Sequence, residues 1–304
     1  MAEPYDVVIV GGGPAGLSAA IVLGRCRRRI FLCNVGQPRN QTSRAVTCLL
    51  GHEGTPPRDL LEKGRFELER YSTVESHADR VSKITPSGHQ FSVVCAEGFT
   101  LTARKVLLTT GLIDEVPPLA GIERLYGRSV HHCPYCDGFE HRDQALAVYG
   151  IGDKGAGLAL MVKQWSSDVL LCTDGPSQVS SIMGERLQQH GIPVCSERIA
   201  KLEGTDDGIL QRIHLQSGKT LERAAIFFST GCHQSSELSA AVGCVRDEKG
   251  GIVTDPVTEE SSVRGVYVAG DASRDVLLVA VAIAEGAKAG VAINRALLQE
   301  DGLG

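Results

Sequence analysis

Two apolar runs, each broken by a glycine-rich loop, set the pattern of hydrophobic and polar positions along this chain. The first reads Tyr5-Asp6-Val7-Val8-Ile9-Val10, then Gly11-Gly12-Gly13-Pro14-Ala15-Gly16, then Leu17-Ser18-Ala19-Ala20-Ile21-Val22-Leu23. A short, nearly continuous apolar run bounded by glycine predicts a strand buried on both faces, and the stretch after it predicts a helix. Ala145-Leu146-Ala147-Val148-Tyr149, followed by Gly150-Ile151-Gly152-Asp153-Lys154-Gly155, repeats the logic. Each copy also has a later partner run, Lys105-Val106-Leu107-Leu108-Thr109-Thr110-Gly111 in the first half and Ala225-Ile226-Phe227-Phe228-Ser229-Thr230-Gly231 in the second. The chain therefore reads as internally duplicated.

Punctuation divides the two copies. Pro117-Pro118 can continue neither a ladder nor a helix and marks one crossing between domains, with a second expected between Gly231 and Gly251. A strand resumes at Gly265-Val266-Tyr267-Val268-Ala269 and ends in Gly270-Asp271. A long helical pattern follows from about Val276 to Leu298, with its small-residue spacing read at Ala280, Ala284 and Lys288. Between Gln37 and Arg70, Pro38, Pro56 and Pro57 break any periodicity. The expected fold is α/β, with two Rossmann-like, three-layer dinucleotide-binding domains. Residues 1–116 and 245–304 form the first, and residues 117–244 form a second inserted into it.

The order strand, Gly-x-Gly-x-x-Gly, helix is the one a dinucleotide site requires. Glycines permit the tight turn and let the backbone approach a pyrophosphate, whose charge then faces the positive end of the helix. Gly11, Gly13 and Gly16 meet that pattern, as do Gly150, Gly152 and Gly155 with Asp153 and Lys154 between them. Between the two loops lies Cys133-Pro134-Tyr135-Cys136-Asp137-Gly138, a spacing suited to a redox dithiol. Zinc competes for a Cys-x-x-Cys, but it normally needs a second ligand pair and only His131-His132 offers one, so no metal is assigned. Either histidine, if protonated, would lower a thiol pKa, and an ordinary structural role is equally open to both.

At 304 residues the chain can bury a core in each of two domains, and 42% hydrophobic residues with 35 glycines fit an α/β enzyme. A net charge of −5 argues against nucleic-acid binding. The basic cluster Arg25, Arg27, Arg28 and Arg29 falls where the first helix should end, and is read as cations favouring a helix C-terminus. No secretory or membrane-spanning run is found, so a cytoplasmic protein is expected. Of 10 cysteines, Cys26, Cys33, Cys48, Cys95, Cys172, Cys195, Cys232 and Cys244 are scattered, and most should be reduced and buried.

Taken in order, Gly11 to Gly16, Thr109-Thr110-Gly111, Cys133 to Gly138, Gly150 to Gly155 and Gly270-Asp271 resemble the low-molecular-weight thioredoxin reductase family over essentially the whole chain. The resemblance implies FAD in the first domain. Gly11, Gly13, Pro14, Ala15 and Gly16 would lie at its pyrophosphate, Asn34, Thr110, Gly111 and Gly270 around it, Asp271 near its ribityl chain, and Val279 where the final helix begins. It implies that Cys136 is the thiol nearer the flavin, Cys133 the one that exchanges with a partner, and Asp137 the acid/base beside them, although Asp137-Gly138 can also be read as a turn. A homodimer and domain rotation about hinges near Pro117 and Gly250 are implied as well. So is a partner that is either a thioredoxin-like protein or a small-molecule disulfide or dithiol.

Four departures bear on activity. Asn34 replaces the acidic residue expected about 20 residues after the glycines, where it can still bond a ribose. After the equivalent strand of the second domain, Cys172-Thr173-Asp174-Gly175 stands in place of a His-Arg-Arg-like cluster, and Asp174 would accept bonds from a 2′-hydroxyl but repel a 2′-phosphate. The second site is therefore expected to disfavour NADPH, leaving NADH, a second FAD or no ligand. Leu278-Val279 replaces an Arg-Gln pair, and Glu285 a glycine, in the last helix. The leading reading is a FAD-dependent dithiol/disulfide oxidoreductase. Its rivals are a dithiol oxidase using oxygen, a ferredoxin–NADP-type flavin reductase, and a FAD-binding redox sensor without turnover.

Overall fold

In the computed structural model, which describes residues 3–273 and 276–304, strand β1 (Tyr5–Val10) runs into helix α1 (Pro14–Arg25). Pro14 opens the helix because its preset φ suits the first turn and it has no N–H to leave unpaired. Strand β2 (Ile30–Cys33), helix α2 (Pro57–Leu68) and β3 (Val74–His77) follow, then a meander of β4 (Val81–Ser87), β5 (Gln90–Cys95) and β6 (Thr100–Leu108). Past β7 (Leu112–Asp114) come β8 (Val130–His131), the one-turn helix α3 (Pro134–Asp137), β9 (Leu146–Tyr149), α4 (Gly152–Val162), β10 (Val169–Cys172), α5 (Ser181–Gln189) and β11 (Val194–Cys195). The antiparallel β12 (Ile199–Gly204), β13 (Leu210–Leu215) and β14 (Thr220–Glu222) precede β15 (Ala225–Phe228). The chain closes with β16 (Cys232–Gln234), α6 (Leu238–Ala241), β17 (Val266–Val268) and α7 (Val279–Glu300).

Two units result. In the first, β3-β2-β1-β6 run parallel, β17 pairs with β6, and β5 and β4 extend the sheet antiparallel. Side chains alternate across β1. Val7 and Ile9 pack with Leu17, Leu23 and Ile293 of α1 and α7, while Val8 and Val10 pack with Val93 and Phe91 of β5. The second unit repeats the plan, with the parallel order β11-β10-β9-β15-β8 and a separate sheet β12-β13-β14. Val148 and Phe227 face α4, and Ala147 and Phe228 face Ile213 and Leu202.

The boundaries differ from those expected. The second unit holds Asp114–Cys232 together with Thr42–Thr47. Leu238, Val242 and Cys244 bury themselves with Val81 and Phe91 of the first unit, so the return falls before 244. Thr42 joins the second unit because Gly127 packs against it, with room for no Cβ: one would fall 2.5 Å from the Thr42 hydroxyl.

Helix α7 begins at Val279 rather than Val276, and its buried stripe is Ala282, Glu285, Gly286, Ala289, Gly290, Ile293 and Leu297. Ala284 and Lys288, two of the positions where the small-residue spacing was read, are exposed. A Cβ at Gly286 would lie 2.1 Å from the Ala15 carbonyl oxygen, which shows how closely α7 crosses the start of α1. No helix among the described residues is long and apolar enough to cross a membrane.

Only Arg25 of the basic cluster sits in the last turn of α1. Arg28 instead donates to Asp301 at 2.7 Å and to Asn294 at 2.8 Å, and Arg29 lies over the Tyr5 ring. Arg104 reaches Asp6 at 3.1 Å and Asp301 at 2.8 Å, and the buried Lys105 pairs with Glu300. Burial alone would raise the Glu300 carboxyl, but Lys105 and Arg104 hold it below the ordinary carboxylate range. A depressed folded value stabilises above the unfolded pKa and is lost as pH falls through the folded one. Glu300→Gln is therefore expected to cost about 1 kcal/mol at pH 7, modest because Glu300 is partly exposed. Urea midpoints should show that difference closing as pH drops from 4.5 through the lowered value, where the wild-type carboxyl also protonates.

Candidate active site

The first glycine loop is built by close approach. A Cβ at Gly11, whose φ is +115°, would fall 2.3 Å from the Thr109 carbonyl oxygen, and one at Gly16 would fall 2.0 Å from that of Gly11. Thr109 ties the loop to the sheet, its hydroxyl donating to the carbonyls of Gly11 at 2.7 Å and Val10 at 3.1 Å. Gly13 has open space where a side chain would be, and no side chain caps α1 there. Asn34, at the end of β2, lies against Gly12 and accepts from the Gly36 amide at 2.9 Å. The following strand end is locked by Ser235, which the sequence reading missed. Its hydroxyl donates to Thr110 O at 2.5 Å and its amide to Gly111 O at 3.2 Å.

Gly270 abuts the same loop, since a Cβ there would meet Ala15 Cβ at 3.0 Å and Ala282 Cβ at 3.6 Å, the latter one turn into α7 after Val279. Asp271 pairs with Arg39 at 2.9 Å. Glu285, read from sequence only as a departure, accepts the Gly270 amide at 2.6 Å and the Ser273 hydroxyl at 3.3 Å. Its buried carboxylate thus braces the turn that carries Asp271. An open, uncapped helix start beside glycines that admit no Cβ, with Asn34 and Asp271 nearby, fits the pyrophosphate and ribose groups of FAD.

In the second unit Cys133 and Cys136 are joined as a disulfide, with Cα atoms 5.3 Å apart and both residues partly exposed. Cys133 precedes α3 and its sulfur accepts the Cys136 amide at 3.2 Å, a bond that would also steady a thiolate. Thr47 donates to the Cys136 carbonyl at 2.7 Å. Gly138 caps α3 at the start of a turn. Its φ of −67° is helical, and a Cβ would strike Pro134 O at 2.5 Å and the Trp165 ring at 2.8 Å.

The two histidines before the pair turn to different partners. His131 Nδ1 is 3.2 Å from Asp137 Oδ1 and its Nε2 is 3.1 Å from His141 Nε2, whereas His132 Nδ1 is 3.6 Å from Asp114. Tyr126 donates to that Asp114 at 3.0 Å. Of the other cysteines, burial pushes the Cys33 and Cys95 thiols up and raises Cys172 to about 12. Cys33, Cys95, Cys172 and Cys244 are buried while Cys26 and Cys48 are exposed, so fewer are buried than expected.

The second glycine loop is covered by the chain's own backbone. Gly150 and Gly155 pack as closely as their counterparts, a Cβ at Gly155 falling 2.5 Å from Gly150 C. Here, however, the Gly152 amide donates to Ser177 O at 2.7 Å, and Asp153 accepts the Ser180 amide at 2.8 Å. Lys154 is exposed on α4. Asp174, expected at a ribose, is committed elsewhere: Oδ1 accepts the Ile199 amide at 2.7 Å, and Tyr149 reaches Oδ2 at 3.4 Å. It therefore joins β10 to β12, a role that spacing alone could not reveal.

Residues 5–286 match the pyridine nucleotide-disulphide oxidoreductase family. The crystal structure of HlmI is similar with a TM-score of 0.93 at 34% identity, covering 98% of this chain and 94% of that one. The oxidoreductase from Agrobacterium tumefaciens is similar with a TM-score of 0.89 at 31% identity, covering 98% and 99%. Among sequence relatives, thioredoxin reductase sirT of Leptosphaeria maculans is 27% identical over 98% of this chain and 95% of its own length. Gly138→Ala is expected to cost roughly 1–3 kcal/mol through overpacking against Trp165 and Pro134, which a denaturant midpoint would measure.

Proposed function

The chain belongs to the pyridine nucleotide-disulphide oxidoreductase family, and we propose that it is a FAD-dependent dithiol/disulfide oxidoreductase in which Cys133 and Cys136 exchange two electrons with an external dithiol or disulfide. The observation that carries this reading is the disulfide itself, half-exposed at the start of α3 with Asp137 directly after it. FAD, when bound, would supply the two-electron carrier, with Gly11, Gly13, Gly16, Asn34 and Asp271 holding it. Cys133, whose sulfur accepts the Cys136 amide, is the better exchanging thiol, because that bond favours its thiolate. Cys136 is then the flavin-side thiol, and Asp137 the group that gives or takes the proton at sulfur.

NADPH is not the usual donor in this reading. The amide of Gly152, which a bound pyrophosphate would need, is used by Ser177, and Asp174 offers no cation to a 2′-phosphate. The same contacts favour a second reading, a dithiol oxidase passing electrons to oxygen. The partner is a small-molecule dithiol or disulfide or a thioredoxin-like protein, and the working form is a homodimer.

Anaerobic titration of the yellow protein should show bleaching by dithiothreitol and none by NADPH, and a Cys133→Ser, Cys136→Ser double variant should lose the dithiol response. Bleaching by NADPH would restore ordinary thioredoxin reductase activity, and a dithiol response that survives the double variant would end the disulfide reading. Oxygen uptake with dithiol separates the oxidase. Light scattering should give twice the mass of one chain, and a monomeric mass would remove the dimer.

A further inference from the structure

We infer that His131 and His141 form, with Asp137, a proton relay serving the Cys133–Cys136 pair, in which His131 holds the carboxylate in place and His141 is the outlet to water. The inference rests on the reading of that pair as redox-active. His131 ends strand β8, is 4% exposed, and packs its ring at 5.6 Å on Phe227 of β15. A core position of this kind is ordinarily filled by an apolar ring, yet both of its nitrogens are engaged. Nδ1 lies 3.2 Å from Asp137 Oδ1 and Nε2 lies 3.1 Å from His141 Nε2.

Proton bookkeeping gives the line a direction. Two ring nitrogens at hydrogen-bond distance require one N–H and one lone pair between them. An ionised Asp137 only accepts, so His131 Nδ1 carries the hydrogen toward it, and His131 Nε2 accepts from His141. His141 is suited to that role: burial and the neighbouring His131 lower its pKa to about 4, against the opposing pull of Gln144 and Asp137 and with a further lowering by Arg44. It is neutral at pH 7 and passes a proton rather than storing one. Its partial exposure gives the line an end in solvent.

The relay's task follows from thiol–disulfide exchange. An external dithiol loses two hydrogens and closes its own S–S bond, while the Cys133–Cys136 bond breaks and both sulfurs become thiols. The attacking thiol must shed a proton and the leaving sulfur must gain one. His131 Nδ1 passes its hydrogen to the Asp137 carboxylate, which delivers it to the leaving sulfur. His131 takes one from His141, and His141 takes one from the water that received the proton of the attacking thiol. Oxidation of the pair runs the line backwards. His131 and His141 do not touch sulfur and are positioning residues.

The test is the rate at which dithiothreitol reduces the pair in the full-length protein, trapped with iodoacetamide and located by peptide mass. His131→Phe and His141→Phe, which keep ring packing, should each slow exchange roughly tenfold at pH 7, below the range for a group that contacts the reacting atoms. His141→Gly should slow it equally and be restored by added imidazole in proportion to its concentration, a response that a purely structural histidine would not give. Should His131→Phe fail to fold, the imidazole experiment decides alone. Wild-type rates in both folded phenylalanine variants, or no imidazole rescue, would overturn the relay while leaving the dithiol reading intact. A wild-type pair that dithiothreitol does not reduce would overturn both.

Discussion

Backbone lying against backbone, with no room for a side chain, is the constraint on which the first unit depends. Gly16 rests on Gly11, Gly11 on Thr109, and Gly286 on Ala15, each at a distance that even one methyl group would violate. These contacts bring the end of β1, the end of β6, the start of α1 and the early turns of α7 to one point, leaving amide hydrogens there without side-chain caps. The apolar layers on both faces of the sheet hold that point rigid, since packed interiors resist small shifts. Ser235 and Glu285 are polar braces on the same junction.

The second unit repeats the first unit's scaffold with a differently covered loop. Gly150 and Gly155 preserve the close approach, yet the segment after β10 folds onto the loop through Ser177 and Ser180, where the first loop stays open at Gly13. Asp174 adopts a left-handed φ of 52° and turns its carboxylate back to the Ile199 amide, so the strand end serves the neighbouring sheet. The two halves thus share a plan but differ in what their loop amides contact.

Much of this was legible in the residues, because buried parallel strands ending in glycine leave a pattern that needs no tertiary knowledge. The strand ends at Val10, Leu108, Tyr149 and Phe228, the order of the loops and the dithiol between them all follow from it. Registration across long distances was not legible. Helix α7 is small-residue-rich on several faces, and which stripe is buried depends on α1 crossing it, so Gly286 and Gly290 rather than Ala284 and Lys288 meet the core. His141 carries no motif at all; its ring meets that of His131 only because the chain turns back after α3. Asp174 was legible as a charge but not as a hydrogen-bond acceptor for Ile199.

The short segment Thr42–Thr47 has a consequence for how such a protein can be rearranged. Because it belongs with Asp114–Cys232, the polypeptide passes between units at four places rather than two. The second unit is therefore not a portable cassette. A gene fragment spanning 114–232 alone would leave Gly127 without the Thr42 it packs on and the Cys136 carbonyl without the Thr47 hydroxyl. An exchange of the second unit must therefore carry this six-residue strap along with the insert, or supply a substitute for it.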